Sequence, residues 1–214
     1  MNIKFWLKSS IAVFCILTVQ LGLGATWYAS PTGTADAACT IDAPGTIQAA
    51  VNKVANGTSW EDGDTVVLLP GTYDYSDPSW NGKQCVSIPT SKSYFTITSQ
   101  DNDPESVVLV GPGDRIDISD DLLTTNGPYK SSAFYQKSIG RIQGITITNF
   151  NSGNTPIIAA SSTSKMLYVN NCRVLDCTGV ALSAGAIVNN SSFEGIYSTG
   201  NSAVVYCDHK ATYF

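Results

Sequence analysis

The sequence predicts an all-β solenoid with one short helix near its N-terminus. Three blocks of the 214-residue chain resemble one another, and they read RIQGITITNF, YVNNCRVLDC and IVNNSSFEGI. Their first apolar anchors, Ile142, Val169 and Val188, are spaced 27 and then 19 residues apart. Self-similarity at this spacing, with strand-like content, is typical of stacked solenoids. A second apolar position follows each anchor by five residues, at Ile147, Val174 and Phe193.

The helix is predicted over Thr46–Val54. Thr46 is a suitable N-cap, and Asn56-Gly57 can end the helix. Four apolar residues at positions i, i+3, i+4 and i+7 share one helical face, namely Ile47, Ala50, Val51 and Val54.

Short β-branched runs between turn residues predict the strands. By contrast, Trp27–Thr40 reads as a loop, and Gly111–Ser132 reads as a long inserted loop of the kind that is usually functional or mobile. The predicted strands are Thr65–Leu69, Tyr94–Thr98, Val107–Val110, Ile145–Thr148, Met166–Val169, Val180–Leu182, Ala186–Val188 and Ala203–Tyr206.

Asparagines recur at matching positions of the last two blocks. Asn170 aligns with Asn189, and Asn171 aligns with Asn190. Amide side chains can hydrogen-bond along a stack of strands. One of these two columns is therefore predicted to form an asparagine ladder.

Residues 1–24 are predicted to be a signal peptide, and residues 25–214 to form one solenoid domain. Lys4 and Lys8 precede the apolar run Ile11–Leu23, which is short for a membrane span, and cleavage is expected near Gly24 or Ala25. An uncleaved anchor is the alternative. We expect no transmembrane span in the mature chain, and the signal peptide predicts a secreted, extracellular or cell-surface protein.

The net charge of −5 argues against nucleic acid as a partner, because phosphates require clustered Lys and Arg. Of the six cysteines, Cys15 lies in the signal peptide. Cys39 and Cys85 form a plausible disulfide, whereas Cys172 and Cys177 are expected to be packed thiols. Cys207 is left over, and the pairing stays open.

The segment TIQAAVNKVANGTSWEDGDTVVLLPGTY (Thr46–Tyr73) resembles the opening of secreted right-handed parallel β-helix proteins of the pectate-lyase-like superfamily. The resemblance implies a right-handed parallel β-helix solenoid whose short N-terminal α-helix caps the open end. The last block is also faintly similar to polymorphic outer-membrane protein repeats. This fold hosts lyases, hydrolases, adhesins and binders, so it does not decide the function.

The resemblance to pectate lyases implies a Ca²⁺ cluster beside a basic residue. Asp117, Asp120 and Asp121, with Asp114 nearby, are the candidate Ca²⁺ ligands, and Arg115 and Arg141 are the candidate bases. A solvated acidic loop is the simpler interpretation, because Ca²⁺ needs six or more oxygens.

Aromatic residues in loops are candidates for stacking on sugar rings. Tyr75, Trp80 and Tyr129 are the predicted substrate-binding residues, with Trp60 and Tyr135 as further loop aromatics. The alternative, which we favour, is that these rings pack over the edge of the core.

The sequence therefore favours a non-catalytic protein that binds polysaccharide or a cell-surface glycan, or serves as an adhesin-like scaffold. A Ca²⁺-dependent polysaccharide lyase is the alternative, and an autotransporter passenger fragment is a third. No C-terminal cap is visible, so either Tyr213 and Phe214 improvise one or the chain is truncated, and the missing cap favours truncation.

Overall fold

Parallel β-structure dominates the chain. The computed structural model describes residues 24–76, 84–88, 91–111, 113, 132–136, 140–160, 167–182 and 186–196. Within these ranges the strands form three parallel sheets. We name them sheet 1 (order β1-β2-β5-β8-β11-β14), sheet 2 (β3-β6-β9-β12-β15) and sheet 3 (β4-β7-β10-β13). From β2 onward the chain visits sheets 1, 2 and 3 in this order, again and again.

The bounds of these elements follow the chain from residue 26 to residue 194. They are β1 Thr26–Thr34, α1 Ile47–Lys53, β2 Thr65–Leu68, β3 Gly71–Asp74, β4 Gln84–Ile88, β5 Phe95–Ser99, β6 Val107–Val110, β7 Ser132–Gln136, β8 Gly140–Gln143, β9 Thr146–Thr148, β10 Asn151–Ala160, β11 Leu167–Asn170, β12 Arg173–Leu175, β13 Thr178–Leu182, β14 Ala186–Asn189 and β15 Ser192–Glu194.

The strand register confirms the repeat found in the sequence. Ile142, Val169 and Val188 are direct neighbours on β8, β11 and β14 of sheet 1. All three side chains are buried, because successive residues of a strand point to opposite faces and these point inward. The second set of anchors is paired in the same way on sheet 2, as Ile147, Val174 and Phe193.

Two-residue connections lead from sheet 1 to sheet 2 after β2, β8, β11 and β14, whereas the connection from β5 to β6 is longer. Their first residue has a left-handed backbone in each of the last three rounds: Gly144 (φ 64°), Asn171 (φ 50°) and Asn190 (φ 47°). Only glycine and asparagine adopt this conformation at low cost. The second residue points inward, and Ile145 and Cys172 are fully buried there. The five-residue spacing between the two anchors of each block is thus set by this tight turn together with the strands on either side of it.

The column of Asn171 and Asn190 forms the predicted asparagine ladder. The Nδ2 of Asn190 donates to the Oδ1 of Asn171 at 3.0 Å. The Nδ2 of Asn171 donates in turn to the carbonyl oxygen of Asn102 at 2.6 Å. The other column, Asn170 and Asn189, lies on the outer side of sheet 1.

The helix has the predicted apolar face but ends early. Its four predicted inward residues are all buried, and the Thr46 hydroxyl accepts from the Ala49 N–H at 3.1 Å. The helix stops at Lys53 and not at Asn56-Gly57, because the Ala55 N–H donates to Asp64. The Lys92 ammonium donates to the Asn52 and Val54 carbonyl oxygens, which satisfies the helix C-terminus.

Helix α1 also completes the edge of sheet 3. The Gln48 Nε2 donates to the Ser87 carbonyl oxygen at 3.0 Å, and the Gln48 Oε1 accepts from the Ser87 N–H at 2.8 Å. The side-chain amide therefore takes the place of a neighbouring strand's peptide group on β4. This pairing agrees with the expected position of the helix over one end of the sheets.

The prediction of a loop over Trp27–Thr40 was wrong for its first part, up to Thr34, whereas residues 35–40 contain no strand or helix. Strand β1 occupies Thr26–Thr34, because Thr26–Ala29 pair in parallel with β2. Asp64 reinforces this junction, since its buried carboxylate accepts from the Ala25 N–H (2.7 Å), the Trp27 indole N–H (3.0 Å) and the Ala55 N–H (2.7 Å).

The predicted strands are present with ends shifted by no more than two residues, apart from Ala203–Tyr206, which lies outside the described residues. Besides β1, the prediction missed seven strands, which are β3, β4, β7, β8, β10, β12 and β15. All of these except β10 lack two consecutive β-branched residues, the pattern that predicted most of the other strands.

Four cysteines in the described part of the chain are buried and unpaired, which overturns the Cys39–Cys85 disulfide. Cys39 follows β1 and packs beside Gly45, whereas Cys85 lies on β4. Burial raises the pKa of Cys172 to about 12 and that of Cys177 to about 11, so both are neutral thiols, as predicted.

Replacing Asp64 by alanine should destabilise the fold by about 2–4 kcal/mol, because three donors would lose their acceptor in a buried site. Chemical unfolding of the Asp64→Ala variant measures this loss. The control is Asp36→Ala, which removes an exposed carboxylate and should change the free energy of unfolding by less than about 0.5 kcal/mol. Equal stabilities of the two variants would contradict the assigned role of Asp64.

The buried cysteines should resist thiol reagents in the folded protein. A Cys15→Ser/Cys207→Ser variant leaves the four described thiols, and at pH 8 a chromogenic disulfide reagent should label them only after denaturation. An added surface cysteine, Asp36→Cys, should react immediately and serves as the control. Rapid labelling of the folded variant without that added cysteine would show that the thiols are accessible.

Candidate functional site

Most of the predicted site residues lie outside the described residues. These are Asp114, Arg115, Asp117, Asp120, Asp121, Trp80 and Tyr129, and their roles stay predictions. Arg141 and Tyr75 are described, and Arg141 lies on β8 of sheet 1. Tyr75 follows β3, is partly buried against the core, and its hydroxyl has a pKa raised by burial. It too stays a predicted binding residue.

Arg141 lies on the outer face of sheet 1, where two columns of side chains run across the strands. In the first column, Arg141 on β8 is paired with Tyr168 on β11, and Tyr168 is paired with Ile187 on β14. Neighbouring strands are about 4.8 Å apart, so these side chains are adjacent.

The second outer column consists of three amide side chains. Gln143, Asn170 and Asn189 occupy corresponding positions on β8, β11 and β14. The Gln143 Nε2 donates to the Thr98 hydroxyl on β5 at 3.3 Å. Each amide offers both donors and acceptors, so the column can bind a ligand rich in hydroxyl groups.

A groove of about 400 Å³ lies over these two columns, and we call it the sheet 1 groove. It has a mixed lining of one cation, one phenol ring, three amides and aliphatic groups. The lining residues are Arg141, Gln143, Tyr168, Val169, Asn170, Ile187, Val188 and Asn189.

Trp60, from the connection between α1 and β2, packs against one side of the groove. The Arg141 guanidinium carbon lies 4.6 Å from the Trp60 ring centroid and 5.9 Å from the centre of the Tyr168 ring. Trp60 also meets Tyr94 and Tyr168 edge to face, with ring centroids 5.4 and 5.3 Å apart. Trp60 thus belongs to a loop, but its ring packs on the outer face of sheet 1 and not in the core.

The loop that carries Trp60 is held by a carboxylate. Asp62 accepts from the backbone N–H and the hydroxyl of both Thr58 and Ser59. These hydrogen bonds, led by that from the Thr58 hydroxyl, lower the pKa of the exposed Asp62 carboxyl. The charged form of Asp62 is therefore the form that orders the loop.

The groove is suited to binding uncharged or negatively charged polar ligands. In the described ranges, no carboxylate lies within 4.0 Å of the Arg141 guanidinium, and the ion pair found there joins Arg173 to Glu105 on another face. Nor do those ranges contain three clustered His, Cys, Asp or Glu side chains that could hold a metal ion. No helix within them is long and apolar enough to cross a bilayer.

Sequence reasoning named Arg141 but missed Gln143, Tyr168 and Ile187 as site residues. It aligned Asn170 with Asn189 only as a possible ladder. The sequence did contain a signal for these outward-facing residues. Side chains alternate along a strand, so the residues on either side of the inward anchors Ile142, Val169 and Val188 must point outward.

No protein-family model and no curated protein matches the sequence. Among solved structures, the chain is similar to a rhamnogalacturonan lyase, with 14% sequence identity and a TM-score of 0.30. The match covers 81% of this chain and 51% of that protein's chain, so this chain spans about half the length of the protein it matches.

Acidification should release the Trp60 loop. Because the pKa of Asp62 is lowered on folding, its contribution to loop order is present above the carboxyl's ordinary value near 4 and is lost as the pH falls through the lowered value. The NMR signal of the Trp60 indole N–H should therefore shift below pH 4. At pH 7, the Asp62→Asn variant should show the indole chemical shift that the wild-type protein shows at low pH, whereas the Asp36→Asn variant should keep the wild-type shift of pH 7. An indole signal unaffected by both acid and Asp62→Asn would contradict this role.

Proposed function

We propose that this chain is a secreted or cell-surface protein that binds polysaccharide in the sheet 1 groove without catalysing a reaction. The observation that carries the proposal is the register of β8, β11 and β14. It aligns one cation, one aromatic ring and three amides over consecutive strands.

The proposed fold is a right-handed parallel β-helix of the pectate-lyase-like kind. Three features support it: the pairing is parallel throughout, the chain returns to the three sheets in a constant order, and α1 covers an edge of sheet 3. The proposed secretion depends on the signal-like sequence of residues 1–24.

The chemistry of the groove agrees with a sugar ligand. Aromatic rings and aliphatic groups contact the apolar faces of sugars, and planar amide and guanidinium groups bond pairs of hydroxyl oxygens. Tyr168 and Ile187 supply the first kind of contact. Gln143, Asn170 and Asn189 supply the second, at intervals of about 4.8 Å set by the strand spacing.

A polysaccharide lyase is the second candidate, because Arg141, one of the two proposed bases, lines this groove. In that reaction a deprotonated Arg141 would take the proton from C5 of a uronate ring, and the electrons of the C–H bond would form the C4–C5 double bond. The glycosidic oxygen at C4 would leave with the electrons of the C–O bond and take a proton from water. The Ca²⁺ proposed at Asp117, Asp120 and Asp121 would acidify that proton when bound.

Substitutions in the groove should weaken polysaccharide binding. Affinity electrophoresis against polygalacturonate, rhamnogalacturonan, xylan and β-glucan identifies the strongest probe for the wild-type protein. Arg141→Ala and Tyr168→Ala should each raise the Kd for it about tenfold, the loss of one well-formed contact. Matched controls are Arg173→Ala, on the outer face of sheet 2, and Tyr28→Ala, four strands away on sheet 1, both expected to keep the wild-type Kd within about twofold.

No retention by any of the four probes, or equal losses in the control variants, would overturn binding in this groove. The same samples decide between the two functions. Ultraviolet-absorbing unsaturated product that disappears on Ca²⁺ chelation and in Arg141→Ala would establish the lyase and exclude the non-catalytic binder.

A further inference from the structure

The connection between α1 and β2 extends across the outer face of sheet 1. Trp60 precedes β2 in the chain, yet its ring contacts Arg141 on β8 and Tyr168 on β11. Both of these residues line the sheet 1 groove. A side chain outside the groove lining is therefore in contact with the groove's one cation and its phenol ring.

The backbone holds the Trp60 loop against the two residues that precede β5. The Gly57 N–H donates to the Ser93 carbonyl oxygen at 3.0 Å. Gly63 approaches the Tyr94 carbonyl so closely that a Cβ there would lie 1.6 Å from the oxygen, so only glycine allows this contact. With Asp62 bonded to Thr58 and Ser59, the loop is fixed on both sides of Trp60.

The Arg141 side chain packs against two aromatic rings. Its guanidinium makes no hydrogen bond or ion pair with another residue in the described part of the chain, and its contacts there are with the Trp60 and Tyr168 rings. An arginine side chain has large rotamer entropy, which a ligand must otherwise overcome. Stacking on an aromatic ring restricts the guanidinium and leaves its five N–H donors for a ligand.

We propose that Trp60 is a positioning residue of the sheet 1 groove, which holds the Arg141 guanidinium in its binding orientation. The inference rests on the proposed function, because it assigns to Trp60 an effect on the same ligand. It adds that Trp60, which is distant in sequence from β8, β11 and β14, affects the ligand affinity by holding Arg141 and does not contact the ligand itself.

A double-mutant cycle tests the proposal. Trp60→Ala should raise the Kd for the strongest of the four polysaccharide probes about three- to tenfold in the wild-type background, the free energy of one cation–π contact and the ordering it provides. In the Arg141→Ala background the same change should have almost no further effect. Trp60→Phe keeps an aromatic face and should restore most of the affinity. Independent, multiplying effects of the two substitutions would overturn the proposal.

A measurement without ligand separates the two proposals. The Arg141 Nε–H signal in ¹⁵N NMR should show restricted motion in the wild-type protein and in Trp60→Phe, and free motion in Trp60→Ala. Arg173, on sheet 2, should be unchanged in all three proteins and reports that the fold is intact. If Arg141 is equally mobile with and without Trp60, positioning is excluded. If the wild-type protein binds none of the probes while Arg141 is restricted, the proposed function fails instead, and with it the ligand role of Trp60.

Discussion

The last three rounds of the structure depend on a tight two-residue connection between sheet 1 and sheet 2. Its first residue has a left-handed backbone, and Gly144, Asn171 and Asn190 occupy this position in successive rounds. Because the turn has the same length in these three rounds, β8, β11 and β14 each place the following strand of sheet 2 in the same register. A single inserted residue there would turn the following strand's apolar side chains outward, since strand side chains alternate.

That fixed register also creates the outer surface. Once Ile142, Val169 and Val188 are aligned inward, their neighbours along each strand are aligned outward, with no further loss of backbone conformational entropy. The groove therefore needs no special loop to bring its residues together. The strands place Arg141 beside Tyr168, and Asn170 beside Asn189, as a consequence of packing the core.

Local sequence patterns predict part of this arrangement, and contacts between distant segments of the chain determine the rest. The inward columns, the helix face and the Asn171–Asn190 ladder could be predicted, because periodicity and local residue type determine them. Strand β1 could not, because it is a strand through its pairing with β2, and the paired residues Thr26 and Thr65 are 39 positions apart in the sequence. The Trp60 contacts could not be predicted either. The T-shaped contact with Tyr168 depends on where the loop crosses the sheet, and no local sequence pattern determines that.

The first outer column of sheet 1 changes character along the stack, and this change locates the site. On β1, β2 and β5 the column consists of Thr26, Thr65 and Thr96, small side chains suited to an ordinary solvated sheet. From β8 onward the same column holds Arg141, Tyr168 and Ile187. Side chains of that size on an outer face leave apolar surface and a cation to be covered. The Trp60 loop covers part of this surface beside β5, and the remainder is the open groove.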